Sequence, residues 1–308
     1  MMRNKISANA LQELKKILPA ARILVNAPLG EYTTFKIGGL ADCLVFPAQT
    51  EEVRDILQVA QKYDLPVSVL GNGSNVLVLD GGIRGLVLKF NDQMSYVRQE
   101  GNKIIAGAGA LLSDICHFAA RCGLAGLEFA VGIPGSAGGA VFMNAGAYES
   151  EMSRVVGAVT AVDAAMSLCR FEAEELKFSY RHSIFQENKA VICEVEFHLK
   201  EGSLPAIFRS MDDFTGKREA KQPLEMASAG STFKRPPGYF AGTLIEQAGL
   251  KGLKSGGAQV SLKHAGFIVN AGGAKAQDVL DLIEEVKNRV YENSGVLLTP
   301  EVRIMGEM

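Results

Sequence analysis

The chain has 308 residues, 47% of them hydrophobic and 21% charged, a balance that excludes a disordered or fibrous protein and leaves room for about two packed domains. Its 32 Lys and Arg stand against 34 Asp and Glu with no basic stripe, so the electrostatic footprint of a nucleic-acid binder is missing and any anionic ligand must be held locally. No run approaches the ~18 apolar residues of a membrane span, and the polar start from Met1 to Ile6 lacks a signal-peptide core, so a cytoplasmic location is expected.

In chain order, Leu11, Leu14, Ile17 and Leu18 fall on one face of a helix that Ser7 caps and Pro19 stops. Short β-rich runs follow at Leu44–Phe46, Val67–Leu70 and Gly85–Phe90, separated by a helix that Thr50 is expected to cap, with Glu51 and Glu52 in its first turn. From about Lys103 to His198 the texture is glycine-rich and mixed, with a helix near Leu112–Cys122 and an alternating strand at Val191–Phe197. A helical pattern resumes from Leu204 toward Lys221. The strand Phe267–Val269 and helices at Thr243–Ala248 and Ala276–Asn293, the last stopped by Gly295, are expected to form a small further unit. An α+β class fits this order better than a clean βαβ repeat.

Cys43, Cys116, Cys122, Cys169 and Cys193 are odd in number and scattered, which reads as small buried hydrophobes. His117, His182, His198 and His264 lack H-x-x-x-H spacing, and no metal site is expected.

Two glycine clusters carry the first chemical signal. Gly71-Asn72-Gly73-Ser74-Asn75 follows an apolar strand, where small residues let backbone N–H groups turn toward an anion. It is neither a Rossmann fingerprint, since Val76 stands at the third glycine, nor a Walker loop. As a motif alone it is equally a tight turn. The second cluster, Gly132-Ile133-Pro134-Gly135-Ser136-Ala137-Gly138-Gly139, suggests backbone lying directly against a flat or phosphorylated ligand. Ser136 is not a hydrolase nucleophile, because the G-x-S-x-G elbow is absent.

Polar groups on otherwise apolar stretches add a second signal: Tyr180-Arg181, Lys221-Gln222-Pro223 and Gly230-Ser231-Thr232-Phe233-Lys234. Arg181 offers a planar fork for a carboxylate or phosphate and Lys221 a point charge. Glu301 is expected on a short strand over Thr299–Ile304. Taken singly, each of these is also an ordinary surface charge or turn residue, and composition and spacing do not join them into one pocket.

With those residues in hand, the chain resembles the UDP-N-acetylenolpyruvoylglucosamine reductase family from about Asn26 to Gly306. The ordered anchors are Thr34-Phe35-Lys36-Ile37-Gly38-Gly39, the two glycine clusters, Phe178-Ser179-Tyr180-Arg181, Gly230-Ser231-Thr232-Phe233-Lys234, Ala265-Gly266-Phe267 and Pro300-Glu301-Val302-Arg303. The resemblance implies an FAD-binding fold of the vanillyl-alcohol-oxidase type in two subdomains, 1–70 with 295–308 and 71–205, plus a smaller α+β substrate-binding domain at 206–294. It implies FAD held by Gly71, Asn72, Gly73, Ser74, Asn75, Gly132, Pro134, Gly135, Ser136, Gly138 and Gly139, with NADPH as hydride source. The implied reaction reduces UDP-N-acetylglucosamine enolpyruvate to UDP-N-acetylmuramate for peptidoglycan, hydride passing from flavin N5 to C3 and a proton to C2.

In family terms Ser231 matches the proton donor, and Arg181 and Glu301 match the positions at the substrate carboxylate, Glu301 donating a hydrogen bond there if it keeps its proton. Tyr180, Lys221, Arg235 and His264 fall to substrate binding, and the enzyme is expected to be a monomer independent of nucleic acid and membrane. Two departures stand out. Phe185 runs almost directly into Val191, with no room for the long tyrosine-bearing loop of one subgroup, and Arg235 stands where other members place an asparagine. The competing readings are another flavin oxidoreductase of the same fold and a non-catalytic nucleotide-sugar or flavin-binding protein.

Overall fold

The computed structural model describes residues 6–308, and the chain divides into two compact units. Among the described residues, unit 1 comprises 6–25, 43–72 and 85–218, and unit 2 comprises 26–42, 73–84 and 219–308.

Unit 1 begins with the helix Ala8–Ile17, where Ser7 Oγ accepts from the Ala10 N–H at 3.2 Å and Leu14 is fully buried, as the apolar stripe predicts. The helix Thr50–Lys62 starts differently from the expectation. Gln49 is its cap residue and Thr50 already lies inside the first turn. Glu52 takes over the local donors instead: it accepts from the Ala48 N–H at 2.7 Å and from both terminal nitrogens of Arg22 at 2.7 and 2.8 Å. Val67–Leu70 pairs in parallel with the strand ending at Lys89, in the register Val67↔Leu86 to Leu70↔Lys89. They belong to a four-stranded sheet ordered Ile23–Pro28, Leu40–Val45, Ile83–Lys89, Val67–Leu70.

A five-stranded antiparallel sheet follows in unit 1, ordered Leu168–Glu172, Val156–Val162, Val191–His198, Lys103–Gly107, Val97–Glu100. Its period-2 pattern is plain in Val191–His198, where Cys193, Val195 and Phe197 are buried while Glu194 and Glu196 emerge on the other face. There Glu196 meets Lys103 at 2.8 Å and Glu194 meets Arg98 at 2.8 Å. The helix Leu112–Arg121 buries Ile115, Cys116 and Ala119, and the core of the unit runs from Leu14 to Met211. Cys43, Cys116 and Cys193 are buried as expected, whereas Cys122 and Cys169 are half-buried; the Cys169 thiol donates to Asp163 at 3.2 Å.

Unit 2 is built on an antiparallel sheet ordered Ala227–Ser231, Phe267–Asn270, Ala258–Val260, Lys254–Ser255. The helix Ala276–Ser294 buries Val279, Leu282, Ile283, Val286 and Val290 on one face and ends on Gly295 at φ 70°, the left-handed stop read from the sequence. Asp80 accepts from the N–H groups of Ala276 and Gln277 at 2.9 and 3.2 Å, so a carboxylate far away in sequence satisfies two of the helix's free amides. The core includes Phe35, Ile37, Leu77 and Leu79 from the early segments, and Arg303–Met305 pairs in parallel with Val76–Val78. Glu301 itself lies just before that strand and not within it.

The Arg22–Glu52 pair is shielded, with side chains 19% and 12% exposed. Burial works against ionisation of Glu52, but the Arg22 and Ala48 bonds outweigh it and hold the carboxyl below its ordinary value. Because the folded value is depressed, this stability is present above the unfolded carboxylate value and is lost as pH falls through the folded one. Glu52→Gln should lower stability at neutral pH by about 2 kcal/mol, read as a shift in the urea midpoint, and the difference from wild type should shrink in acid.

Candidate functional site

The residues expected to act fall in both units. Unit 1 holds Gly71, Asn72, Gly132, Pro134, Gly135, Ser136, Gly138, Gly139, Tyr180 and Arg181. Unit 2 holds Gly73, Ser74, Asn75, Lys221, Ser231, Arg235, His264 and Glu301.

In unit 1 the structure brings the start of the first glycine loop onto the second cluster. A Cβ built on Gly71 would stand 2.5 Å from Ser136 Oγ, so any larger residue there would force the Ser136 side chain to move. Asn72 Nδ2 donates to the Pro134 carbonyl at 2.6 Å, locking the two loops together. Ser136 is 1% exposed, yet its hydroxyl has no hydrogen-bond partner among the described residues. A buried hydroxyl without a partner costs free energy unless a ligand or water completes it. The amides of Ala137 and Gly138, by contrast, are used internally, donating to Ala110 at 2.8 Å and Ala108 at 3.0 Å.

Arg181 occupies the tip of a tight turn closed by two bonds between Ser179 and His182, at 3.2 and 3.1 Å, and its own backbone is left-handed at φ 55°. The turn rests on the segment that follows the second cluster. Buried Asn144 donates to the Ser179 carbonyl at 3.0 Å and accepts from the Ser153 N–H at 2.9 Å, while Ser183 Oγ and Gln186 Nε2 both donate to the Phe142 carbonyl at 2.9 Å. Gln186 also donates to the Arg181 carbonyl at 3.0 Å. The guanidinium lies 4.9 Å from the centre of the half-exposed Tyr180 ring and donates to the Gly146 carbonyl at 3.4 Å. Such a cation, held by backbone and an aromatic face, suits a planar anion. From Phe185 the chain makes one short helix to Asn188 and enters the strand at Val191, so the long loop is indeed missing.

In unit 2, Ser231 ends the strand Ala227–Ser231 opposite Phe267, after an irregularity between Ser228 and Ser231 that Gly230 makes possible at φ 73°. A bulge of this kind re-aims the next side chain, and Ser231 is exposed at the strand end. The neighbouring Thr232 is the fixed point. Its N–H donates to Gly266 O at 2.8 Å, its carbonyl accepts from the Glu301 N–H at 2.8 Å, and its buried hydroxyl accepts from the Ile268 N–H at 3.0 Å. Ser231 and Glu301 are therefore set by one residue. Asn75 joins them, its Nδ2 donating to the Glu301 carbonyl at 3.3 Å and its own carbonyl accepting from the Arg303 N–H at 2.9 Å. Thr34 links the strand to the loop, with its Oγ1 donating to Ser228 O at 2.7 Å and its N–H to Gly73 O at 3.2 Å.

His264 packs its ring edge-on against Phe267 at 5.1 Å and accepts from the Gly266 N–H on Nδ1 at 3.1 Å. Burial pulls it below its ordinary value, helped by Lys251 and Lys221. Lys221 is exposed at the end of the helix Leu204–Lys221, and the Arg235 guanidinium sits 4.0 Å from the centre of the exposed Phe240 ring.

Several contributors were invisible in the sequence. Asn144, Ser183 and Gln186 shape the Arg181 turn, and no spacing rule points to them. Arg218 lies against Gly132, with no hydrogen-bond partner among the described residues, and burial lowers its affinity for the proton. Tyr148 stacks on Phe214 one helical turn earlier, at 4.4 Å, and donates to the Phe214 carbonyl at 3.0 Å. Phe214 and Arg218 at i and i+4 share a helix face, a signal that could have paired them.

Thr232→Val keeps the shape but strips the acceptor from the Ile268 N–H. A loss of about 1–2 kcal/mol in chemical denaturation is expected, with the wild-type denaturant slope retained.

Two protein-family models match the chain: an FAD binding domain over residues 41–171 and the UDP-N-acetylenolpyruvoylglucosamine reductase C-terminal domain over residues 222–305. Among curated proteins, the chain is 50% identical over 296 residues to the UDP-N-acetylenolpyruvoylglucosamine reductase of Clostridium novyi, covering 96% of each chain. It is 46% identical over 299 residues to that of Clostridium botulinum, covering 97% of each. Among solved structures it is similar to the Thermus caldophilus UDP-N-acetylenolpyruvylglucosamine reductase, with a TM-score of 0.79 at 38% identity, covering 92% of this chain and 98% of that one. A more distant likeness to alkyldihydroxyacetonephosphate synthase, TM-score 0.52 at 15% identity over 65% of this chain and 42% of that one, shows a shared fold alone. The matches span both units and nearly the full length, and the chain belongs to the UDP-N-acetylenolpyruvoylglucosamine reductase family.

Proposed function

We propose that this protein is the NADPH-dependent flavoenzyme that reduces UDP-N-acetylglucosamine enolpyruvate to UDP-N-acetylmuramate in peptidoglycan synthesis. The observation that supports the reading is the Thr232 arrangement, which follows Ser231 on its bulge and holds the Glu301 backbone N–H, in a chain 50% identical to reductases of this name. The match of residues 222–305 to the reductase C-terminal domain speaks against another oxidoreductase sharing only the flavin fold.

The residues present fit FAD. The close approach at Gly71, the unpartnered hydroxyl of Ser136 and the cross-link from Asn72 to Pro134 form a backbone-lined cradle suited to a phosphorylated group. Gly71, Asn72, Gly73, Ser74, Asn75, Gly132, Pro134, Gly135, Ser136, Gly138 and Gly139 would hold it. When bound there, FAD would supply the two-electron hydride chemistry between NADPH and C3 of the enolpyruvyl ether.

The chain's own groups do the rest. Addition at C3 puts negative charge on the pendant carboxylate, to which the Arg181 fork is assigned as cationic donor and Glu301 is assigned as well. Ser231 Oγ gives the proton to C2, closing the reduction. Tyr180, Lys221, Arg235 and His264 bind the rest of the substrate, with Arg235 held over Phe240 in place of the asparagine of other members. Residues 1–70 with 295–308 and residues 71–205 take the cofactor role, and 206–294 the substrate role. A cytoplasmic monomer acting without nucleic acid or membrane completes the reading; the even charge balance supports its independence from nucleic acid.

Ser231→Ala should slow reoxidation of the reduced enzyme by the enolpyruvyl nucleotide by ~10²–10⁴-fold while leaving reduction by NADPH nearly intact. Stopped-flow absorbance separates the two half-reactions, and equal rates in both for variant and wild type would remove Ser231 from the chemistry. Gly71→Ala should weaken FAD retention by at least about tenfold, since the new methyl meets Ser136 Oγ. The measurement is fluorescence of flavin released during gel filtration.

A further inference from the structure

Lys89 ends the strand Ile83–Lys89 with its side chain shut inside unit 1, the residue being 9% exposed. A lysine buried this far normally keeps a carboxylate beside it. Lys89 does not. Its Nζ donates to the Gly71 carbonyl at 2.6 Å and the Phe90 carbonyl at 3.1 Å, and its third N–H has no partner among the described residues. Asp92 is the charged group that acts on it, and burial outweighs that attraction, bringing the amine down to about 8. Methionine would fill a similar volume without the desolvation cost of a charge, so a cation here calls for something it does besides packing.

The carbonyl it holds opens the first glycine loop. In a trans peptide the C=O and the following N–H point in opposite directions, so fixing the Gly71 oxygen turns the Asn72 N–H away from Lys89. That amide has no hydrogen-bond partner among the described residues. The same peptide is held from two further sides, by the Asn72 side chain on Pro134 and by the approach of Gly71 to Ser136 Oγ. Lys89 thus stands behind the cradle, with its charge unmatched and its bonds aiming the cradle's backbone.

We propose that Lys89 is a positioning residue for the FAD diphosphate: its ammonium fixes the Gly71–Asn72 peptide and provides the positive charge that the bound diphosphate balances. This rests on the FAD-binding function proposed above. The sign of the pH dependence follows. A bound dianion raises the lysine's proton affinity, so FAD binds most tightly where Lys89 is charged, below its value of about 8, and progressively less tightly as pH rises through and above it.

The test is FAD binding to stripped apoprotein, followed by quenching of flavin fluorescence across about pH 7 to about pH 9.5, for wild type, Lys89→Met and Lys89→Arg. A tenfold gain in the amine's proton affinity on binding corresponds to about tenfold in FAD affinity. Wild type should weaken by roughly tenfold across that range, Lys89→Met should be roughly tenfold weaker at neutral pH and flat, and Lys89→Arg, which does not titrate there, should stay tight and flat. Parallel profiles for wild type and Lys89→Met, or equal affinities at neutral pH, overturn the proposal. If the methionine variant does not fold, the arginine arm decides: a loss with pH as steep as wild type's overturns it and a flat profile upholds it. Wild type that takes up FAD and is bleached by NADPH upholds the enzymatic reading whatever Lys89 does, whereas wild type that binds no FAD overturns both.

Discussion

Hydrogen bonds on Thr232 hold the Ser231 end of the unit 2 sheet in register. Its N–H reaches Gly266, its carbonyl takes the Glu301 N–H and its hydroxyl takes the Ile268 N–H. Two stretches far apart in sequence, 266–268 and 301, are thereby tied to one residue that is 4% exposed. A side-chain hydroxyl is needed because Ile268 faces an irregular part of the ladder, where the strand pairing skips between Ser228 and Ser231 and backbone acceptors run short. The bulge that exposes Ser231 is thus compensated by the very next residue, and its hydroxyl is placed at the surface without leaving the Ile268 amide unpaired.

Much of the framework was legible because it rests on periodicity. The stripe of Leu11, Leu14, Ile17 and Leu18 with Ser7 and Pro19 marked the first helix, and Val279 to Val290 with Gly295 marked the last. Alternation in Val191–His198 marked a central strand of the antiparallel sheet. Local rules failed where a partner distant in sequence overrode them. Thr50 has a good capping side chain, yet the chain begins the helix one residue earlier and gives the incoming donors to Glu52, because Arg22 pins that carboxylate. Glu301 reads as part of a strand, but Pro300 and the bond to Thr232 keep it outside, and pairing starts at Arg303.

The site was less legible than the fold, for a physical reason. Glu301 is tied to the residue after Ser231 by a backbone bond that any residue type can make, and to Asn75 by one side-chain amide with no spacing rule behind it, so their company leaves no compositional trace. Arg181 is placed by the amides of Asn144 and Gln186, and its left-handed backbone is set by a turn that carries no glycine. Only the ordered family anchors joined these positions. Conversely, a lysine at the end of an apolar strand reads as a surface charge, and nothing in the residues around Lys89 says that its ammonium faces carbonyls inside the protein.

The chain order of unit 2 has a consequence for how the protein is made. Its core draws Phe35, Ile37, Leu77 and Leu79 from early segments and everything else from beyond Glu219, and Val76–Val78 pairs with the strand at Arg303–Met305. During synthesis those early apolar residues emerge long before their neighbours exist, and a parallel pairing across more than two hundred residues closes only when the chain is almost finished. The unit that carries Ser231 is therefore the late product of translation, exposed meanwhile to chaperones and proteases, while the contiguous run 85–218 of the other unit can begin to pack as it leaves the ribosome.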